Sequence, residues 1–193
     1  VRSRGLGDVY KRQDIDSYIC HLEENPSDMI GISSGFPRFD KAIGGGFRRK
    51  CVDLIAARPK VGKSMFADNV ALHVSGKLNI PVLVLDTEMS KEDHVNRLLA
   101  NLSDIEINEI ASGQFANSKG GKERVSQSAG RLKNIPYDYI TIAGKSFEET
   151  LSVMRRWLVK RVGFDENGRA NPCMIIYDYL KLMHSEQISD GLK

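Results

Sequence analysis

The chain has 193 residues, of which 41% are hydrophobic and 27% are charged. This balance is ordinary for a soluble globular chain, and the length suits one domain with a sizeable core. We find no apolar run long enough for a membrane span and no signal-peptide pattern, so we expect no membrane partner. The three cysteines are far apart and odd in number, which predicts reduced thiols in a cytoplasmic compartment.

The net charge of +3 resides in residues 1–13, which hold four basic side chains and one acidic side chain. This segment has no apolar period, and its run 5–12 resembles translated sequencing-adaptor read-through. We interpret residues 1–13 as a disordered artefact; the alternative is a natural basic arm that contacts nucleic acid. The rest of the chain is neutral overall, so composition gives no electrostatic evidence for a nucleic-acid partner.

A short amphipathic helix is predicted over 14–24, because its apolar residues recur every three or four positions. Asn25-Pro26 ends it. An isolated helix of this length is marginal in water, so its apolar stripe must cover a surface, either in its own domain or on a neighbouring subunit. Pro37 then begins a second short helix over 37–43, which the glycines 44–46 terminate.

The most informative stretch is 51–65, in which a β-prone run at 52–56 leads through a loop into an apolar-periodic helix. Strand, Gly-Lys-Ser and helix in this order predict the phosphate-binding loop of nucleoside triphosphatases. Backbone N–H groups and the helix N-terminus hold the phosphates, and Gly62 lets the backbone approach them. Lys63 reaches the outer phosphates, and the Ser64 hydroxyl binds Mg²⁺. The alternative is an ordinary helix N-terminus with a capping serine.

One position departs from the usual loop pattern, because Ala57 stands where the loop normally opens with glycine. The turn therefore requires a negative φ at Ala57. The candidate nucleotide-binding residues are Ala57, Arg58, Pro59, Lys60, Val61, Gly62, Lys63 and Ser64.

Three further apolar runs, at 80–86, 139–142 and 174–177, predict strands that alternate with helices. The first run is continuous, which is typical of a parallel strand covered on both faces. This alternation indicates an α/β fold with a parallel sheet flanked by helices, in which ligands bind at the carboxyl ends of the strands. Helices are predicted at 63–75, 91–102, 103–115, 123–132 and 147–161, with capping residues at Ser90 and, as a full capping box, at Ser146 with Glu149.

Two acidic residues follow predicted strands at that edge of the sheet. Asp178 is the candidate Mg²⁺ ligand opposite Ser64, and the alternative is a simple turn residue. Glu88 is the candidate base or orienting carboxylate for the attacking water, with Lys63 as the second candidate catalytic residue. A solvated loop acid is the alternative for Glu88, and Asp86 is the competing carboxylate. The expected cofactors are ATP and Mg²⁺.

Four motifs occur in one order along the chain: Gly-Phe-Pro-Arg-Phe-Asp at 35–40, the loop at 56–64, Thr-Glu-Met-Ser at 87–90 and the Asp-Tyr-Leu run within 176–183. In this order and spacing they resemble the helicase domain of the DnaB-type replicative DNA helicases, from Ile30 to about His184. The Ala-Arg-Pro opening resembles the family's loop, Glu88 its catalytic glutamate and Asp178 its Mg²⁺ motif. Lys181 stands where the family usually has glutamine.

This resemblance implies a RecA-like fold, a homohexameric ring, ATP hydrolysis at subunit boundaries and movement along single-stranded DNA. It also implies a location in the cytoplasm of a bacterial or phage-infected cell. Residues 14–29 would be a linker helix docking on the next subunit, and 30–193 an incomplete RecA-like ATPase domain. We expect the chain to be truncated at both ends, without the amino-terminal domain that contacts primase in the family.

In the family, a sensor strand lies between the phosphate-loop strand and the strand that ends at Asp178. Along the chain of the family, this sensor strand comes after the Asp motif, and DNA-binding loops and an arginine finger come after the sensor strand. We find none of these three features before Lys193. We therefore expect a gap in the sheet and weak ATP turnover by the fragment alone.

Two other functions stay open from the sequence. One is a RecA/RadA/KaiC-type ATPase, which the glycines 44–46 fit, and the other is a nucleotide-binding module without hydrolysis. A basic cluster near the end of the helix at 147–161 could contact DNA, but we interpret it as complementing the helix dipole. The cluster comprises Arg155, Arg156, Lys160 and Arg161.

Overall fold

The structure is a computed structural model that describes residues 12–27 and 29–179. The predictions for residues 1–11 and for Lys181 lie outside the described residues. Short 3₁₀ and π segments follow two of the helices, at Gln114–Asn117 and Leu158–Val162. In chain order the elements are helices α1 (Arg12–Glu24), α2 (Pro37–Ala42) and α3 (Lys63–Gly76), strand β1 (Val82–Asp86), helices α4 (Lys91–Ser103), α5 (Ile107–Ser112) and α6 (Gly121–Asn134), strand β2 (Tyr137–Thr141), helix α7 (Phe147–Trp157) and strand β3 (Met174–Asp178).

The three strands form a parallel sheet in the order β2-β1-β3. All five residues of the central strand β1 are buried, as its continuous apolar run predicted. The register places Asp86 beside Asp178 on one side and beside Thr141 on the other. The carboxyl ends of the three strands therefore meet at one edge, and the predicted α/β fold class is confirmed.

Alternation along β1 sends successive side chains to the two faces of the sheet. Val82 and Val84 pack in a core cluster with residues of α3, including Val74. Leu83 and Leu85 pack in a second cluster, which includes Trp157 at the end of α7. The phosphate-loop helix and α7 therefore cover different faces of the same strand.

The predicted helix caps are confirmed. Ser90 accepts a hydrogen bond from the Asp93 backbone N–H at the start of α4. At the start of α7, Ser146 accepts from the Glu149 N–H and the Glu149 carboxylate accepts from the Ser146 N–H. These bonds satisfy amide groups that the first helical turn leaves unpaired.

The predicted strand at 52–56 is wrong. This segment has no regular secondary structure and belongs to none of the strands of the described sheet. Val52 is 98% exposed and Leu54 is 77% exposed. High β propensity produces a strand only where a neighbouring strand completes the ladder and covers the side chains. Among the described residues the sheet ends at β3, and no strand lies beyond it to bound the gap that was predicted between 52–56 and β3.

Helix α1 begins at Arg12, two residues before the predicted start. Its apolar residues Ile15, Tyr18, Ile19 and Leu22 are all exposed, so the stripe does not pack on the described part of its own domain. Across the described ranges, none of the helices has the length and apolar content needed to cross a bilayer.

Candidate active site

The loop before α3 has the backbone geometry that a phosphate-binding loop requires. Gly62 at the N-cap has a φ of 105°, which a residue with a Cβ rarely adopts, and Lys60 has a φ of 66°. Ala57 is not among the described residues with positive φ, so it meets the requirement for a negative φ that the turn sets at this position. The residues from Ala57 to Gly62 are exposed, and the loop leads directly into Lys63 and Ser64 in the first turn of α3.

Asp178 joins the end of β3 to the first turn of α3. The Lys63 ammonium forms a salt bridge with Asp178 Oδ1. The Ser64 hydroxyl donates to Asp178 Oδ2, with 2.5 Å between the oxygens. Residues 115 positions apart in the chain are thus brought into direct contact. The Asp178 side chain is only 14% exposed, which strengthens its interaction with the ammonium.

Glu88 lies in the loop that follows β1, and Asp86 organises the backbone of that loop. Asp86 Oδ1 accepts hydrogen bonds from the N–H groups of Glu88 at 2.7 Å and Met89 at 2.8 Å. Asp86 is itself buried at the end of β1. Its carboxylate is therefore committed to the loop, whereas the Glu88 side chain is exposed at the same edge of the sheet.

Tyr179 connects Glu88 with the phosphate loop. Its hydroxyl donates to Glu88 Oε1 at 2.8 Å, and the Lys63 Nζ lies 4.7 Å from the centroid of its ring. Lys63, Ser64 and Asp178 are therefore in direct contact, and Glu88 is linked to them through one side chain. All four predicted site residues lie at the carboxyl edge of the sheet, where its topology favours ligand binding.

A partly buried polar network contacts the Glu88 loop through Tyr139. The Tyr139 hydroxyl donates to the Met89 carbonyl at 2.9 Å. The His94 ring stacks on the Tyr139 ring, with 3.8 Å between centroids, and His94 Nε2 is 2.7 Å from the Tyr137 hydroxyl. Asp68 of α3 lies on the far side, with Oδ1 4.0 Å from His94 Nδ1. The network therefore spans α3, α4 and β2.

Burial shifts the pKa values of Asp68 and His94 in opposite directions. Removal from water raises the pKa of Asp68 to about 7, against the opposing attraction of Arg97. Removal from water lowers the pKa of His94 to about 4, against the opposing attraction of Asp86. Asp68 Oδ2 and His94 Nδ1 make no hydrogen bond within the described residues. Between about pH 5 and 6 both side chains are therefore mostly uncharged.

The motif at 35–40 packs on the phosphate-loop helix. Phe36 and Phe39 contact Phe66 of α3, with ring centroids 5.2 Å and 5.1 Å apart. Asp40 is buried and accepts from the Ser34 N–H at 2.9 Å. This segment therefore packs against the first turn of α3.

The basic cluster at the end of α7 is partly neutralised. Arg161 Nε donates to Asp138 Oδ2 at 3.1 Å, and the Trp157 indole N–H donates to the same oxygen at 2.8 Å. Trp157 is 5% exposed, so it serves the core and not a base-stacking surface. A groove of about 340 Å³ runs beside Arg156 and Lys160, and its lining includes none of the candidate phosphate-site residues.

The donor set at the loop fits a nucleotide with a hard divalent cation. Ser64 and Asp178 present oxygen ligands, which Mg²⁺ prefers, and the Lys63 ammonium with the unpaired N–H groups of the α3 N-terminus suits phosphate oxygens. The described ranges contain no group of three His, Cys, Asp or Glu side chains that could hold a metal ion. A cation at Ser64 and Asp178 would therefore take its remaining ligands from phosphate and water.

Residues 31–192 match the family described as DnaB-like helicase C terminal domain. The chain belongs to this family. It is 32% identical over 169 residues to the replicative DNA helicase DnaB of Pasteurella multocida, covering 87% of this chain and 34% of that protein. It is 31% identical over 165 residues to the replicative DNA helicase DnaC of Bacillus subtilis, covering 86% and 34%. The chain thus spans about a third of the length of these two relatives.

Two solved structures resemble the fold of this DnaB-like domain. One is a solved ATPase domain, with a TM-score of 0.76 and 23% identity, covering 95% of this chain and 62% of that one. The other is a DnaB-like replicative helicase described with its interactions with primase, with a TM-score of 0.74 and 23% identity, covering 95% and 42%. The likeness shows the RecA-like architecture that the motif order implied.

Four side chains at or beneath the site were missed in the sequence. Tyr179 could have been found, because it directly follows Asp178 at a strand end. The other three become a unit only through packing between separate elements. They are Asp68, His94 and Tyr139.

Proposed function

We propose that this chain binds ATP with Mg²⁺ and hydrolyses it, as the motor domain of a DnaB-type replicative helicase that moves along single-stranded DNA. The observation that carries the proposal is the meeting of Lys63 and Ser64 with Asp178 at the carboxyl edge of the sheet, with Glu88 linked to them by Tyr179. Membership of the DnaB-like family favours this function over that of a RecA/RadA/KaiC-type ATPase.

The first turn of α3 supplies the binding half of the site. Lys63 already holds a carboxylate oxygen, so its ammonium is placed to hold an anionic oxygen of a phosphate. In the loop 57–62, Pro59 has no N–H and the Val61 N–H donates to the Arg58 carbonyl, so the other backbone N–H groups are the candidate phosphate donors. The positive φ of Gly62 lets the backbone approach the anion closely. Bound Mg²⁺ neutralises phosphate charge, and Ser64 and Asp178 are the residues that would hold it.

Glu88 supplies the hydrolytic half. A carboxylate beside the phosphate loop can accept a proton from water, or orient the water for in-line attack. Asp86 suits this role less well, because it is buried and its Oδ1 accepts from two backbone N–H groups of the Glu88 loop. The backbone of the loop is fixed by buried groups, so the reach of the Glu88 side chain is limited to the region next to Lys63 and Tyr179.

The exposed stripe on α1 supports the proposed ring. Four apolar side chains on one helical face lie outside the core of the described domain, and a neighbouring copy would remove them from water. We propose that residues 14–29 are a linker helix that docks on the next subunit of a homohexameric ring. Replacing Ile19 and Leu22 with glutamate should lower the oligomer mass measured by analytical ultracentrifugation. An unchanged mass would remove α1 from the subunit contact.

Glu88→Gln tests hydrolysis separately from binding. In the oligomer formed by the complete gene product, the variant should bind Mg·ATP with wild-type affinity and lose at least about 99% of the ATPase rate. Glu166→Gln, in an exposed loop, is the matched control and should keep the rate. A Glu88→Gln protein that hydrolyses ATP normally would contradict the proposed role. A wild-type protein that binds ATP without hydrolysing it would favour a regulatory nucleotide-binding module.

Contact with primase is a further part of the proposed function. One of the solved structures that resemble this fold is a helicase described with its interactions with primase. In the DnaB-type family this contact is made by an amino-terminal domain, which would precede residues 14–193. A pull-down of primase by the complete gene product, but not by residues 14–193, is the expected result.

A further inference from the structure

Tyr179 is the side chain that touches both charged halves of the site. Its hydroxyl donates to Glu88 Oε1 at 2.8 Å, and the face of its ring lies 4.7 Å from the Lys63 Nζ. We propose that Tyr179 is a positioning residue, which holds the Glu88 carboxylate at the phosphate loop through the hydroxyl and steadies the Lys63 ammonium through the ring. The inference rests on the proposed role of Glu88 in hydrolysis.

The hydrogen bond from Tyr179 matters because the other bonds of this loop hold its backbone and do not set the rotamer of the Glu88 side chain. Asp86 accepts from the backbone N–H groups of Glu88 and Met89, and Tyr139 donates to the Met89 carbonyl. These bonds hold the backbone, yet a glutamate side chain retains several rotatable bonds beyond it. A donor at 2.8 Å from Oε1 selects among those rotamers and aims the carboxylate.

The ring contact provides the second half of the inference. A lysine ammonium within about 6 Å of a tyrosine ring centroid is attracted to the ring face. The ring therefore helps to hold the Lys63 ammonium at the end of β3, where it also meets Asp178. One residue then sets the distance between the cation that holds phosphate and the carboxylate that would orient water.

The location of Tyr179 suits this role better than a role in the core. It is partly exposed and follows Asp178, the last residue of β3. Tyr177, two residues earlier, packs instead against the cluster that contains Leu83 and Leu85. The two tyrosines therefore form a matched pair, one at the site and one in the core.

Tyr179→Phe and Tyr179→Leu separate the hydroxyl from the ring. For both variants, kcat, the KM for ATP and the affinity for Mg·ATP are measured on the oligomeric gene product, with Tyr177→Phe as the control. Tyr179→Phe should lower kcat for ATP about tenfold while the KM for ATP and the affinity for Mg·ATP stay within about twofold of wild type. Tyr179→Leu should lower kcat similarly and also weaken Mg·ATP binding several-fold, because the ring no longer contacts Lys63. Tyr177→Phe should keep the wild-type kcat.

A double variant tests whether Tyr179 acts through Glu88. In a Glu88→Gln background, Tyr179→Phe should cause no further loss of rate. A further tenfold loss there, or an equal loss in Tyr177→Phe, would overturn the inference. If Glu88→Gln abolishes hydrolysis while Tyr179→Phe retains the wild-type kcat, the positioning role fails and the proposed function stands. If Glu88→Gln hydrolyses ATP normally, the proposed function itself fails.

Discussion

Asp68 and His94 contribute opposite pH dependences to the free energy of unfolding, and removing one of them should reveal the other. Burial raises the pKa of Asp68 to about 7, whereas the unfolded carboxyl titrates near 3.8. Asp68 therefore adds its full contribution to the free energy of unfolding below about pH 4, and this contribution is lost as the pH rises toward 7. Burial lowers the pKa of His94 to about 4, against 6.5 when unfolded. His94 therefore adds its full contribution to the free energy of unfolding above about pH 6.5, and this contribution is lost as the pH falls toward 4.

Between about pH 4 and 6.5 these two slopes oppose each other. Each group alone would change the free energy of unfolding by about 1.4 kcal/mol per pH unit, with opposite signs. The pair holds one proton in the folded and in the unfolded chain, so its net slope is close to zero. Asp68→Asn removes the pH dependence that Asp68 contributes to the free energy of unfolding and leaves the one that His94 contributes. The free energy of unfolding should then rise with pH, relative to wild type, by about 2 to 3 kcal/mol across this range.

The substitution is well suited to this measurement because it changes little else. The Asp68 carboxyl is protonated in the folded chain over most of this range, so an amide of the same shape adds no charge change. The charged groups that also act on the pair, Arg97, Asp86 and Asp178, are the same in both proteins.

Urea unfolding of the 193-residue chain, followed by tryptophan fluorescence, is the assay. Trp157 is the sole tryptophan and is buried, so its emission reports loss of the core. Free energies would be compared at about pH 4.5, 5.5 and 6.5, within the window where the two slopes oppose each other. Asp53→Asn, at an exposed position, should follow the wild-type profile. Parallel profiles for Asp68→Asn and wild type would refute the assignment of a buried, oppositely shifted pair.

Two further predictions use the same urea assay. Val52→Ser should change the free energy of unfolding by less than about 0.5 kcal/mol, because the side chain is almost fully exposed; a loss above about 1 kcal/mol would mean that 52–56 pairs within a sheet after all. Ser146→Ala removes the side-chain acceptor of the α7 capping box and should cost about 1 kcal/mol, and an unchanged midpoint would mean that this end of α7 is frayed in solution.

Local features of the chain could be predicted because they depend on a few neighbouring residues. A serine with an acidic residue three positions later marks a helix start, and both such caps are formed, at Ser90 and at Ser146. The continuous apolar run before Asp86 predicted a strand buried on both faces, because only a strand covered on both faces can bury such a run. Glu88 and Asp178 were placed at one edge by the rule for parallel sheets, without knowledge of strand order.

Features that depend on partners outside the local sequence could not be predicted in this way. The segment 52–56 has the composition of a core strand, but composition does not show whether a neighbouring strand is present. Asp68 is an acidic residue within a helix, and its sequence context does not show that packing against His94 will bury it. The apolar stripe of α1 was recognised, while the surface that it covers was left with two alternatives.

The register of the sheet explains why core packing and the site depend on each other. Asp86 pairs with Asp178, so the loop that carries Glu88 begins beside the carboxylate that meets Ser64. A slip of β1 by one residue would exchange the faces of Val84 and Leu85 and would destroy both core clusters. The same slip would move the Glu88 loop by about 3.3 Å along the strand, beyond the reach of a single hydrogen bond. Close packing on both faces of β1 therefore sets the distance between the residues proposed to bind phosphate and the residue proposed to orient water.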